Sequence, residues 1–238
     1  MFPGVLVQAP NRPKIITNTT PDIANAFKDN ATLGTCCSDE QEAGLQAAWM
    51  ALSPPNIDDP AKNAGFLRED AKLYIIILSD EQDQSKGKPD FYIDFFKSIK
   101  GYRNRERMKV SVIVGDDPDG CGNGQAESGS RYIEVANQTG GMFISICNGN
   151  WAQSLQSLGI DAFAAIREFP LSRQADPNTI TVTVDGQSVP KSSITDCETC
   201  TTGWVYYQDT NTICFCSGSV PGRGARIDVH YTAVCITP

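Results

Sequence analysis

The residues best placed to do chemistry follow an apolar run. Leu73-Tyr74-Ile75-Ile76-Ile77-Leu78 leads straight into Ser79-Asp80-Glu81-Gln82-Asp83-Gln84-Ser85. Carboxylates and hydroxyls at that density supply the oxygen donors that a hard divalent cation takes, and Asp80 is the first carboxylate after the run. The run itself is apolar without alternation, the pattern of a strand buried on both faces in a parallel sheet. In open α/β sheets, ligands bind in the crevice beyond the carboxyl ends of such strands. The same residues also suit a purely structural job, with Ser79 and Asp80 capping a turn or the following helix.

Other groups offer less. Cys197-x-x-Cys200 with Cys214-x-Cys216 has the outline of a zinc site, but the second pair falls in a strand-like stretch with poor knuckle geometry. Disulfides across a small β-module fit those cysteines better. Cys121 and Cys147 bracket a helix and a strand, and a bridge between them closes two neighbouring loops. His230 is the single histidine, on an alternating strand where it faces solvent. With no second base and no Gly-x-Ser-x-Gly elbow, nucleophilic catalysis is not indicated, and the chain reads as a non-enzyme. Gly122-x-Gly124 lacks the third glycine of a dinucleotide loop. Asp116-Asp117-Pro118-Asp119-Gly120 reads as a solvated turn, with Ca²⁺ binding the alternative.

Composition limits the partners. Against 20 basic residues stand 28 acidic ones, a net charge of −8, so no basic stripe exists to displace counterions from nucleic acid. No apolar run approaches the ~20 residues that span a bilayer. Nine cysteines, five of them in the last 42 residues, point to an oxidising, extracellular, cell-surface or periplasmic location. Met1-Phe2-Pro3-Gly4 opens no signal peptide, so the expectation is that residue 1 is not the natural start.

Elements must hold these groups in place. A short helix is expected from Thr20-Pro21-Asp22 to Phe27, with proline at its first position. Ser38 with Gln41 forms a capping box for a helix whose apolar face is Leu45, Ala48, Trp49 and Leu52, ended by Pro54-Pro55. After the buried strand, Pro89-Asp90 starts a helix with Phe91, Phe95 and Ile99 on one face. Val110 to Val114 is a second strand. Ser130 to Gln138 is a helix with Tyr132, Ile133 and Ala136 inward, closed by Gly140-Gly141. Met142 to Ile146 is a third strand, and a last helix runs from Asn150 to Ile166 carrying Leu155, Leu158 and Phe163. This alternation predicts a parallel sheet with helices on both faces. From about residue 171 the period changes to short alternating strands, Ile180 to Val184 turning at Asp185-Gly186, then Trp204 to Tyr207, Ile213 to Cys216 and Ile227 to Tyr231. The domains are therefore 1–170, α/β, and 171–238, a disulfide-stapled antiparallel β subdomain.

Three stretches together resemble a known family. They are Gly34-Thr35 ahead of the Glu42-Ala43-Gly44-Leu45 helix, the Ile75-to-Asp80 strand with its Ser-Asp-Glu end, and Val112-Ile113-Val114-Gly115 followed by a helix and Gly140-Gly141. Their order is similar to a von Willebrand factor A domain of the variety found in large exported bacterial surface proteins. The tail, with Gly203-Trp204 and Val229-x-Tyr231, resembles the β appendage that often follows. The resemblance implies a doubly wound, mostly parallel sheet bearing Mg²⁺ or Ca²⁺ at its top. It implies Asp80 as the third-loop ligand and Thr35 as the second-loop ligand, with Ser38 and Glu42 as substitutes. The family's Asp-x-Ser-x-Ser motif is absent, along with the first central strand, its helix and the next strand; Asp83-x-Ser85 matches half of it. The domain is thus expected to lack its N-terminal part. The expected function is adhesion or protein binding, with an acidic partner side chain completing the cation's coordination. The alternative is a metal-free structural subunit whose sheet another chain completes, as a hetero- or homo-oligomer.

Overall fold

A computed structural model describes residues 4–32, 42–69, 71–102, 104–222 and 224–234. The chain forms two compact units, Met1–Ile99 with Lys109–Trp151, and Lys100–Met108 with Ala152–Pro238. The architecture is mixed α/β, one small parallel sheet and two antiparallel ones, each of three strands.

In the first unit, helices α1 (Ile23–Ala31), α2 (Gly44–Ala51), α3 (Pro89–Ile99) and α4 (Ser130–Thr139) accompany strands β1 (Leu73–Leu78), β2 (Met108–Val114) and β3 (Phe143–Ser145). The strand order is β1-β2-β3, and β2 runs parallel to β3 with Ile113 opposite Ile144. β2 is the central strand. Val110, Val112 and Val114 are fully buried on one face, and Ser111 and Ile113 are buried on the other. Ser111 is the polar exception. Its hydroxyl meets the Tyr74 hydroxyl at 2.7 Å and accepts the Met142 N–H at 2.9 Å, so its burial leaves nothing unpaired.

β1 corrects the sequence reading. Six apolar residues predict burial on both faces, yet Ile76 is 49% exposed and Leu78 61%. Leu73 and Ile77 turn inward, while on the other face Tyr74 is half-buried and Ile76 and Leu78 are exposed. An apolar run states what a strand can bury, not what is there to cover it.

The helices hold the remaining corrections. α1 begins at Ile23, after Asp22 in a left-handed conformation, so Pro21 lies outside it. α3 buries Tyr92, Ile93 and Phe96 in place of the expected Phe91–Phe95–Ile99 stripe. Phe91 and Phe95 pack edge-on against Trp49 of α2, their ring centroids 5.6 and 6.4 Å from its own. Aromatic bulk on that stripe is used between helices instead of against the sheet. α4 buries Tyr132, Val135, Ala136 and Thr139, and ends at Gly140 with φ +71°, where a side chain is strained. The capping box Ser38–Gln41 lies outside the described residues. The Cys121–Cys147 bridge is present, joining the loop before α4 to the turn after β3.

In the second unit, α5 (Trp151–Phe163, its first residue shared with the other unit) precedes six strands. β4 (Glu168–Pro170), β7 (Trp204–Tyr207) and β8 (Thr212–Phe215) form a sheet in order β4-β8-β7. β5 (Thr181–Val184), β6 (Gln187–Val189) and β9 (Ile227–His230) form one in order β6-β5-β9. Asp185 and Gly186, both at positive φ, make the tight hairpin that the sequence announces. Leu171, Ala175, Ile180, Val182, Trp204, Ile213 and Phe215 fill one core. Beside it sit the bridges Cys197–Cys214 and Cys200–Cys216, so these four cysteines are disulfides and not zinc ligands. Residues Cys214 and Cys216 are two apart on an extended stretch, which places both sulfurs on one face. No helix among the described residues is long and apolar enough to cross a membrane.

Candidate functional site

The carboxyl end of β1 and the N-terminus of α2 meet in one polar cluster. The first three N–H groups of a helix have no acceptor inside it. In α2 all three are met from elsewhere in the chain. Gly44 N–H donates to the Tyr132 hydroxyl at 3.1 Å, Leu45 N–H to Asp83 Oδ1 at 3.4 Å, and Gln46 N–H to Ser85 Oγ at 2.8 Å. The half-motif Asp83-x-Ser85 is therefore a cap for a helix about forty residues upstream. A Cβ on Gly44 would lie 2.9 Å from the Tyr132 hydroxyl, so the close approach of that phenol to the backbone requires glycine.

Asp83 is the electrostatic centre. Its side chain is fully buried and carries a charge that must be compensated. Arg131 Nε, from the first turn of α4, donates to Asp83 Oδ2 at 3.0 Å, and Ser85 Oγ donates to Oδ1 at 2.6 Å. The same guanidinium donates to the carbonyls of Ser85 at 3.0 Å and Gly87 at 2.9 Å, fixing the loop over the helix. Burial raises the Tyr132 phenol, and the nearby Asp83 charge pushes it in the same direction. Tyr92 is also raised, chiefly by burial. Both phenols stay neutral at physiological pH.

The predicted ligands fall out unevenly. Asp80 is exposed at the end of β1, and its backbone carbonyl accepts the Glu127 N–H at 2.8 Å. Glu42 is at the lip of α2, where its carboxylate accepts the hydroxyl of buried Ser79 and its carbonyl accepts the Gln84 N–H at 2.7 Å. Thr35 and Ser38 lie outside the described residues. Among the described residues no three His, Cys, Asp or Glu side chains converge as a metal would need. Glu42 is hydrogen-bonded to Ser79, and Asp83 is paired with Arg131. In this cluster the counter-cation is an arginine.

Sequence reasoning did not assign Arg131, Tyr132 or Gly44 to the cluster, because their roles need three-dimensional proximity across about ninety residues. The one signal was the isolated Asp83-x-Ser85 itself. A second polar hub escaped notice in the other unit. Asn211, buried and at positive φ, donates to the Leu171 and Arg173 carbonyls at 3.0 and 2.8 Å and accepts from Ala175 N–H and the Tyr206 hydroxyl. Asparagine is among the few residues that tolerate that backbone, and here its amide satisfies four neighbours at once. In comparison with known proteins, no family model, no curated protein and no solved structure matches the chain.

Proposed function

We propose that the chain is a non-enzymatic protein-binding module of an exported or cell-surface assembly, and that a strand from another chain completes its parallel sheet along β1. The observation that carries this reading is the place of β1 at the end of the strand order among the described residues, with Ile76 and Leu78 exposed on one of its faces. An open, apolar sheet edge is the natural template for an added strand. The Asp83–Arg131 pair supports the same reading, since it closes the top of the sheet with the protein's own cation. The three disulfides among the described residues are compatible with an oxidising location, where such assemblies work. The resemblance to von Willebrand factor A domains adds support, because the missing elements would sit beside β1.

A second reading keeps the cation. Asp80 presents an exposed carboxylate beyond the carboxyl end of β1, which is where an adhesion site of that family would recruit Mg²⁺ or Ca²⁺. Native mass spectrometry with and without chelator separates the two. A multimer or heteromer whose mass is unchanged by chelation, with β1 amides slow to exchange in it, is the expected result. A 25.8 kDa monomer that loses one divalent ion on chelation, and in the Asp80→Ala variant, overturns strand completion in favour of cation-dependent adhesion.

A further inference from the structure

Asparagine followed by glycine is open to attack by its own main chain. Glycine has no Cβ to shield its amide nitrogen, so that nitrogen can reach the asparagine side-chain carbon. The chain holds two such pairs, Asn123-Gly124 and Asn148-Gly149. All four residues are exposed, so exposure does not choose between the pairs. Hydrogen bonding does. At Asn123 both reacting groups are occupied. Its Oδ1 accepts the Gln125 N–H at 3.1 Å, an Asx-turn that fixes the side chain, and the Gly124 N–H donates to the Cys121 carbonyl at 2.8 Å. The Cys121–Cys147 bridge ties that turn down. At Asn148 the backbone N–H donates to the Ser145 carbonyl at 3.3 Å, which engages neither reacting group. Among the described residues the Asn148 side-chain amide and the Gly149 N–H have no partner. Nothing lies within 4 Å of the place a Cβ on Gly149 would take.

We infer that the fold leaves Asn148-Gly149 open to spontaneous covalent modification and protects Asn123-Gly124 from it. The Gly149 nitrogen loses its proton and bonds to Cγ of Asn148. The Cγ–Nδ2 bond breaks, and the side-chain nitrogen leaves as ammonia, closing a cyclic imide. Water then opens the ring at either carbonyl, giving aspartate or isoaspartate at position 148. Nothing is oxidised or reduced, and water is the co-reactant. Either product adds a negative charge. Isoaspartate also routes the main chain through the side-chain carbon, which lengthens the connection between Cys147 and α5. That connection matters to α5, because of its expected stripe Leu155, Leu158 and Phe163 only Leu158 is buried.

Peptide mapping of the folded full chain by mass spectrometry, after storage at mildly alkaline pH, tests this, with isoaspartate read by enzymatic methylation. Conversion at Asn148 should lead that at Asn123 by about tenfold or more, because Asn123-Gly124 must first give up two hydrogen bonds. It should quicken as pH rises, since the attacking nitrogen must lose its proton. In the reduced and alkylated chain unfolded in urea, the two pairs should convert at similar rates. Gly149→Ala should remove conversion at position 148 on the same timescale and leave Tm unchanged, since the added methyl meets open space. A folded chain in which Asn123 converts as fast as Asn148 overturns the inference. So does an Asn148 that stays intact while the unfolded chain converts, or that converts unchanged in Gly149→Ala. A lead of Asn148 that persists undiminished in urea also overturns it, because sequence neighbours and not the fold would then choose the site.

Discussion

At the scale of single residues, the polar cluster behaves as a clasp whose parts depend on one another. Arg131→Met removes the cation bonded to a carboxylate that has no exposed side-chain area, and should cost about 3–5 kcal/mol. Asp83→Asn in addition should restore part of that loss, because the uncompensated charge is gone. A urea-denaturation double-mutant cycle that gives strictly additive costs would refute the coupling. Tyr132 adds a pH signature. Its folded pKa is raised above the ordinary 10.0 by burial, so the folded state holds its proton more tightly than the unfolded state does. The stability it contributes is complete below pH ~10 and is lost as pH rises through and beyond that value. Tyr132→Phe should therefore lower stability at neutral pH by roughly 1–2 kcal/mol, since Gly44 N–H loses its acceptor, and should fall less steeply above pH 10 than the parent. Because Tyr92 and Tyr206 are raised too, the difference between variant and parent is the quantity to read. Parallel alkaline profiles would show that Tyr132 ionises freely.

At the scale of elements, local chemistry was legible where a residue's job is local. Gly140 ends α4 where the sequence places it, and Asp185-Gly186 turns its hairpin. Gly140→Ala should cost about 1 kcal/mol through the positive φ alone, measurable as a lower midpoint with an unchanged m-value. Position in the sheet was not legible. The run Leu73–Leu78 has the composition of a central strand, but centrality depends on whether a neighbour exists, and composition cannot report that. Helix faces failed for a related reason. In α3 and α5 large apolar residues surround the axis, so no single stripe is specified, and packing partners decide which side is inward. The Asp83 cluster lies between these cases, its cap residues visible but the helix they cap far away in sequence.

At the scale of the whole molecule, the two units draw on different sources of stability. The first buries the long central strand β2 under its helices, and the Cys121–Cys147 bridge ties loops at the end of the sheet. The second has only short strands, and Cys197–Cys214 and Cys200–Cys216 close loops of 17 and 16 residues beside a modest core. In the chain-entropy account, loops of that length contribute about 3 kcal/mol each. Removing both should consume most of what so small a β-module has to spare. Calorimetry should accordingly show a transition that reductant moves far down, and hydrogen exchange should locate it in residues 197–216 while the amides of Met108–Val114 remain protected. The double variant Cys200→Ser, Cys216→Ser should reproduce part of that shift without reductant, which separates the bridge from general thiol chemistry. If β2 loses protection together with β8 in that double variant, which leaves Cys121–Cys147 in place, the units unfold as one. The disulfides would then hold the whole chain and not the β-module.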